Sequence, residues 1–139
     1  MALIYRAHFA FSKNPIMNSK GMNTSPIYGF LNTLIELIRK EEPTHLAVVF
    51  DTKAPTFRSE IFVDYKANRE RQPEDIQISI PFIKKILQLL SIKILEKDGF
   101  EADDVIGSLA TQLASDSDAV RYMMLSLIHI SEPTRLHVI

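Results

Sequence analysis

The feature that most constrains the fold is a run of five apolar residues, 46–50, which Asp51 closes. A continuous apolar run of this length is typical of a strand that is buried on both faces of a parallel sheet. Asp51 would then lie at the carboxyl end of that strand. Because ligands of open α/β sheets bind outside the carboxyl ends of the strands, Asp51 is the first candidate for a functional residue.

Amphipathic helices alternate with the predicted strands. Residues 26–40 carry apolar side chains at helical spacing, which predicts a helix with Ser25 as its N-cap and Pro26 at its first position. Further elements are predicted as a helix at 73–90, a strand at 91–96, a helix from about Glu101 and a strand at 119–124. This alternation predicts an α/β fold with a doubly wound, mostly parallel sheet.

Composition limits the range of functions. A chain of 139 residues, 46% hydrophobic, has room for one modest core. It contains no cysteine, which excludes a disulfide framework and a cysteine-based zinc site. No apolar run approaches the roughly 20 residues that span a bilayer, and the start lacks a signal peptide, so we expect a cytoplasmic protein without a membrane partner. The net charge of −1 means that any binding of nucleic acid depends on local clusters.

Three acids stand within four residues at the predicted start of the last helix: Glu101, Asp103 and Asp104. Carboxylates this close repel one another unless a cation intervenes, and oxygen ligands suit the paired Mg²⁺ ions that cleave phosphodiesters. A second interpretation is that they complement the helix dipole. Asp51 likewise has an alternative role, as a turn residue after a strand. The residues alone leave both interpretations open.

Residues 52–73 form a polar segment in which basic side chains alternate with aromatic ones, and we expect it to protrude from the core. In a functional interpretation, basic residues hold phosphates while Tyr65 offers a ring on which a base stacks. The basic residues in question are Arg58, Lys66 and Arg69. The alternative is a solvated surface whose charge is partly balanced by neighbouring acids.

Three blocks occur in order: MALIYRAHFAF, AVVFDTKAPTFRSEIFVDYKANR and GFEADDVIGSLA. Together they resemble the 5′-nuclease domain of bacterial DNA polymerase I and its phage relatives. The resemblance covers residues 1 to about 124 and implies a PIN-like α/β fold with a helical arch at about 52–73. It also implies a metal-dependent 5′-3′ exonuclease or flap endonuclease of DNA replication and repair. The substrate would be DNA with a free or flapped 5′ end, found in the bacterial nucleoid, and the full-length protein would carry polymerase domains.

The same resemblance implies roles for individual residues. Two Mg²⁺ or Mn²⁺ ions would be held in the intact domain, and the metal-site carboxylates here would be Asp51, Glu101, Asp103 and Asp104. The catalytic basic residues would be Lys66 and Arg58 in the arch, with Lys66 stabilising charge in the transition state. The DNA-binding residues would be Tyr5, Arg6, Tyr65 and Arg69.

The sequence departs from the family pattern at both ends. The family opens with a strand ending in Asp-Gly, whose aspartate is a metal ligand, whereas the first acid here is Glu36. The segment LSLIHISEPTR, 125–135, resembles the translation of a transposase adapter used to prepare sequencing libraries. We therefore expect 1–124 to be a partial 5′-nuclease domain without its first strand, and 125–139 to be a non-native tail. Such a fragment is expected to be inactive alone.

Two other functions remain open at this stage. The first is a catalytically inactive fragment that binds DNA, and the second is a ribonuclease of the PIN type, which also clusters acids at strand ends. The basic segment YKANR, at 65–69, argues against the compact ribonuclease. A nucleotide-binding switch is disfavoured because the sequence has no Gly-rich phosphate loop.

Overall fold

The computed structural model describes residues 2–52, 54–62 and 72–116. Within those ranges the elements are α1 (Ala2–Ala10), α2 (Ser25–Glu41), β1 (Ala47–Val49), α3 (Phe57–Ile61), α4 (Glu74–Leu89), β2 (Lys93–Leu95) and α5 (Ala102–Asp116). The two strands pair in a short parallel sheet, which confirms the α/β class. The strand predicted at 119–124 lies outside the described residues.

The chain divides into two compact units. The first comprises Met1–Val48 and Glu70–Ile94, and the second comprises Val49–Arg69 and Leu95–Ile139. Along the described ranges, no helix is long and apolar enough to cross a membrane.

The first unit is built from α1, α2 and α4, which all pack against one another. Its buried apolar side chains recur at helical spacing, as the sequence predicts for α2 and α4: Ile4, Ala7, Phe30, Leu34, Ile76, Ile83 and Leu87. Gly29 lies where α2 approaches α1. A Cβ at that position would lie 2.4 Å from the Cβ of Ala7, so the close approach of the two helices requires glycine.

The start of α2 differs from the sequence prediction. Thr24 occupies the N-cap position without a capping side-chain bond, and Ser25 is the first helical residue, so Pro26 is the second. The buried Ser25 hydroxyl instead accepts a hydrogen bond of 2.8 Å from the backbone N–H of Ile16. Ser25 therefore fixes the loop before the helix. The prediction was wrong because the bonding partner lies nine residues away, beyond the reach of a local capping rule.

One further prediction is corrected. Strand β1 is less buried than a strand covered on both faces, because Ala47 is exposed and Val48 and Val49 are half-buried. An apolar run shows that a segment can be buried, whereas other elements of the fold decide how far it is covered. In the segment from 52 to 73, where the family resemblance implies a helical arch, the structure contains the short helix α3.

Candidate functional site

Asp51 follows β1 in the chain and is hydrogen-bonded to the start of α5, in the second unit. Phe50, which is 3% exposed, donates its backbone N–H to the carbonyl of Leu95, and this bond continues the pairing of the strands to the residue before Asp51. The Oδ1 atom of Asp51 then accepts a hydrogen bond of 2.9 Å from the backbone N–H of Ala102. Asp51 therefore lies beside the first turn of α5, where the other three candidate acids stand in sequence.

The first turn of α5 is stabilised by two carboxylates. Asp104, at the third helical position, accepts a 3.0 Å hydrogen bond through Oδ2 from the backbone N–H of Glu101, which immediately precedes the helix. This is the return bond of a capping box. Asp51 satisfies the next amide, that of Ala102. Because the first amides of a helix have no partner within it, both acids stabilise this end of α5.

Asp104 also forms an ion pair with Arg58 of α3. The guanidinium donates from Nη1 to Oδ2 at 2.5 Å and from Nη2 to Oδ1 at 2.6 Å, so the pair is bidentate. Both side chains are partly buried, with 32% of Arg58 and 21% of Asp104 exposed. The Cζ atom of Arg58 lies 4.6 Å from the ring centroid of Phe57, within the range of a cation–π contact. Arg58 is therefore held on two sides.

A second set of contacts joins α3 to the segment before α5. The backbone N–H of Phe57 donates to the carbonyl of Gly99 at 3.1 Å, and the rings of Phe57 and Phe100 lie 6.0 Å apart in a tilted arrangement. Beside these rings is an open depression of about 460 Å³. Its lining residues are Phe57, Phe100, Asp103, Asp104, Gly107, Ser108 and Thr111.

The four candidate acids differ in burial and in the partners that they already have, and both affect whether they can act as metal ligands. Their oxygen donors suit a hard cation such as Mg²⁺. However, no three histidine, aspartate or glutamate side chains of the described ranges lie close enough to hold an ion. Both oxygens of Asp104 are bonded to Arg58, and Glu101 is buried at 8% exposure. As arranged, no three of these four acids come together as metal ligands.

The remaining predicted site residues fall into two groups. Tyr5 and Arg6 lie on α1 in the first unit, where the Tyr5 ring is 6.4 Å from that of Phe9 and Arg6 is exposed. Tyr65, Lys66 and Arg69 lie outside the described residues, as do the tail residues 125–139. Their predicted roles stay predictions.

The pairing of Arg58 with Asp104 was not predicted from the sequence. Arg58 was expected to bind phosphate and Asp104 a metal, and 46 positions separate the two residues. Phe57 and Phe100 were not predicted as part of the site. Their only sequence signal is position, since Phe57 directly precedes Arg58 and Phe100 directly precedes the acidic cluster.

Comparison with known proteins decides the family. The model of the 5′-3′ exonuclease N-terminal, resolvase-like domain matches residues 1–127. The chain belongs to this family. The resemblance predicted from the three sequence blocks is thereby confirmed, and with it the assignment to a family of nucleases.

The relatives of this chain are named either 5′-3′ exonuclease or DNA polymerase I. A 5′-3′ exonuclease of Aquifex aeolicus is 45% identical over 120 residues, which cover 86% of this chain and 41% of the relative. DNA polymerase I of Treponema pallidum is 41% identical over 114 residues, covering 82% of this chain and 11% of the relative. DNA polymerase I of Caldicellulosiruptor bescii is 40% identical over 111 residues, covering 80% and 13%. The chain thus spans less than half the length of each of these relatives.

Proposed function

We propose that this exonuclease domain hydrolyses phosphodiester bonds in DNA that has a free or flapped 5′ end, during replication and repair at the bacterial nucleoid. The observation that carries the proposal is the 2.9 Å hydrogen bond from the Ala102 amide to Asp51. Asp51, which follows β1, therefore contacts the start of α5 beside Glu101 and Asp103 in the chain. The end of a strand is where α/β folds gather their functional groups.

The proposed reaction requires a divalent metal, Mg²⁺ or Mn²⁺, with two ions in the intact domain. Such ions stabilise the negative charge on the attacking and leaving oxygens of a phosphodiester. Asp51, Glu101, Asp103 and Asp104 are the candidate ligands. Oxygen donors from these acids match the preference of both cations.

The proposed contacts with DNA come from residues that the family resemblance indicates. Tyr5 and Arg6 would meet the substrate from α1, while Tyr65 and Arg69 would bind the single strand. Lys66 would stabilise the charge of the transition state. Two of the relatives are named DNA polymerase I, and this chain covers 11% and 13% of their length. We propose that the longer protein carries polymerase domains as well.

The proposal is tested in a chimera of the Aquifex protein, a relative that is named 5′-3′ exonuclease. In the Aquifex exonuclease, the 120-residue segment that matches is replaced by the aligned residues of this chain. The chimera is then given DNA with a labelled 5′ flap, with and without a chelator. We expect cleavage that the chelator stops. Substituting Asp51→Asn or Asp103→Asn should lower the rate by about 10²-fold or more, as for other groups that stabilise transition-state charge.

Asp98→Asn is the matched control, because Asp98 is an exposed acid in the turn before α5. This variant should cleave within about twofold of the unsubstituted chimera, as a surface change away from the site does. Cleavage that persists without divalent metal would contradict the metal requirement. A folded chimera that leaves flapped DNA intact would contradict the proposed function.

A further inference from the structure

Two phenyl rings lie exposed side by side in the second unit, next to the candidate acids. Phe57 of α3 is 39% exposed, and Phe100, which lies just before α5, is 43% exposed. The ring centroids are 6.0 Å apart with 55° between the ring planes, and the Phe57 amide donates to the Gly99 carbonyl. The backbone therefore holds the two rings together as an apolar wall of the depression, which is the kind of surface that marks a ligand-binding groove.

The polar part of the same depression consists of hydrogen-bond acceptors. Within the described ranges, the polar side chains of its lining are Asp103, Asp104, Ser108 and Thr111. The Ser108 hydroxyl donates its hydrogen to the Asp104 carbonyl at 2.8 Å, and the Thr111 hydroxyl donates to the Gly107 carbonyl at 2.9 Å. Each hydroxyl therefore offers a ligand only its lone pairs, and ionised carboxylates likewise only accept.

A lining of rings and acceptors selects for one chemical class of ligand. It disfavours a phosphate, whose own oxygens are negatively charged acceptors, unless a cation lies between. A cation would use the acceptors but would leave the two rings without a role. A nucleobase uses both parts, because its faces stack on aromatic rings and its edge carries N–H donors. Adenine, cytosine and guanine present an exocyclic amino group, which thymine lacks.

We propose that this depression seats one nucleobase of the DNA substrate, which stacks on Phe57 and Phe100 and donates its amino group to the hydroxyls of Ser108 and Thr111. The inference rests on the proposed function, since the same depression includes two of the candidate metal ligands. In a nucleotide, one sugar separates the base from its phosphate. A base seated against the two rings therefore brings its own phosphate beside those acids, and the rings position the strand for cleavage.

The first test is a titration of the 139-residue chain itself, followed through the ¹H–¹³C resonances of the phenylalanine rings. The probe is deoxycytidine, which carries a base without a phosphate, at millimolar concentrations, because one stacked base gives only weak affinity. We expect the Phe57 and Phe100 resonances to move with deoxycytidine and to stay in place with 2-deoxyribose, which lacks the base. Thymidine should bind about 3-fold or more weakly, since it has no amino group for the hydroxyls.

Three outcomes of this titration would count against the proposal. Ring resonances that deoxycytidine leaves unmoved would overturn it, and so would equal shifts with 2-deoxyribose. Thymidine that binds as well as deoxycytidine would overturn the assignment of the two hydroxyls.

Substitutions at Phe100 are the sharper ones, because Phe57 also contacts Arg58. Phe100→Leu keeps an apolar side chain without a flat face and should weaken deoxycytidine binding by about 5-fold or more, whereas Phe100→Tyr keeps the ring and should bind within about twofold. Phe82→Leu is the matched control, since Phe82 is 48% exposed on α4, in the other unit. A leucine that binds as well as the phenylalanine would contradict a stacking role.

Filling the depression tests the same site without touching either ring. Gly107 belongs to the lining, and a Cβ built there would meet no atom within 4 Å. Gly107→Leu therefore places a side chain in the open space, and the helix tolerates leucine better than glycine. The variant should stay folded and lose the deoxycytidine shifts of the Phe57 and Phe100 rings. Unchanged binding in this variant would place the base elsewhere and overturn the proposal.

The last test pairs the protein ring with the DNA base in the exonuclease chimera. A single abasic site is moved, one nucleotide at a time, along the flap and into the first paired nucleotides. On intact flapped DNA, Phe100→Leu should lower kcat/KM by about 5-fold or more. At one position of the abasic site the same substitution should change kcat/KM by less than about twofold, because the base that the ring contacts is already absent.

Additive effects at every position of the abasic site would overturn the proposal. The deoxycytidine titration needs no nuclease activity. A folded but inactive chimera would therefore count against the proposed function, while the titration and its variants still decide whether the depression binds a base.

Discussion

Replacing Gly29 by alanine tests the close approach of α1 and α2. The new Cβ would lie 2.4 Å from the Cβ of Ala7 and 3.2 Å from its Cα, and Cβ contacts below 3.0 Å essentially never occur in real proteins. Both contact atoms are fixed to the backbone of α1, so no side-chain rotation relieves the clash. The helices must therefore move apart by about 1 Å, an overpacking strain of the kind seen in dense cores.

The magnitude follows from two opposing terms. Overpacking a well-packed core destabilises by about 1–3 kcal/mol. Alanine gains about 0.8–1.0 kcal/mol over glycine inside a helix, which offsets part of that loss. Since separating the helices would loosen a core that contains the buried Ile4 of α1 and Phe30 of α2, we expect the upper part of the range. The net loss in free energy of unfolding should be about 1–2 kcal/mol.

The assay is urea unfolding followed by far-ultraviolet circular dichroism, with Gly107→Ala as the matched control. Gly107 lies within α5, and a Cβ there would meet no atom within 4 Å. That variant should gain stability, by up to about 1 kcal/mol. Adding Ala7→Gly to Gly29→Ala should recover part of the loss, because it removes the atom in closest contact. If Gly29→Ala were as stable as Gly107→Ala, the inferred contact between α1 and α2 would be refuted.

Two further predictions concern the core and the acid that ends β1. Ile83→Ala should lower the free energy of unfolding by about 2–5 kcal/mol in urea titrations, because Ile83 is fully buried. Ile78→Ala on the same helix should cost well under half as much, because Ile78 is 41% exposed. Equal losses would contradict the core assignment. Asp51→Asn should retain near-native stability by the same measurement, since the new amide oxygen can still accept from the backbone N–H of Ala102. Asp51→Ala should lose about 1 kcal/mol of the free energy of unfolding. Equal stability of the two variants would mean that the hydrogen bond between residues 51 and 102 contributes nothing.

The sequence by itself determined the parts of the fold that depend on local order. The apolar spacing in residues 26–40 and 73–90 predicted α2 and α4, because a helix brings residues three and four apart onto one face. The helix predicted from about Glu101 corresponds to α5, and its first turn carries two aspartates, which the helix dipole favours there. Three sequence blocks in order were sufficient to identify the family.

Only the tertiary structure decided which side chains pair. Ser25 accepts from an amide nine residues away instead of capping its own helix, and the buried face of α2 requires glycine at position 29 because of a residue on another helix. Arg58 and Asp104 were each assigned a separate partner from sequence, yet they bind one another across 46 positions. Hydrogen bonds and ion pairs depend on distances of about 3 Å, which local periodicity does not specify. Those distances are fixed when the chain folds and brings distant segments together.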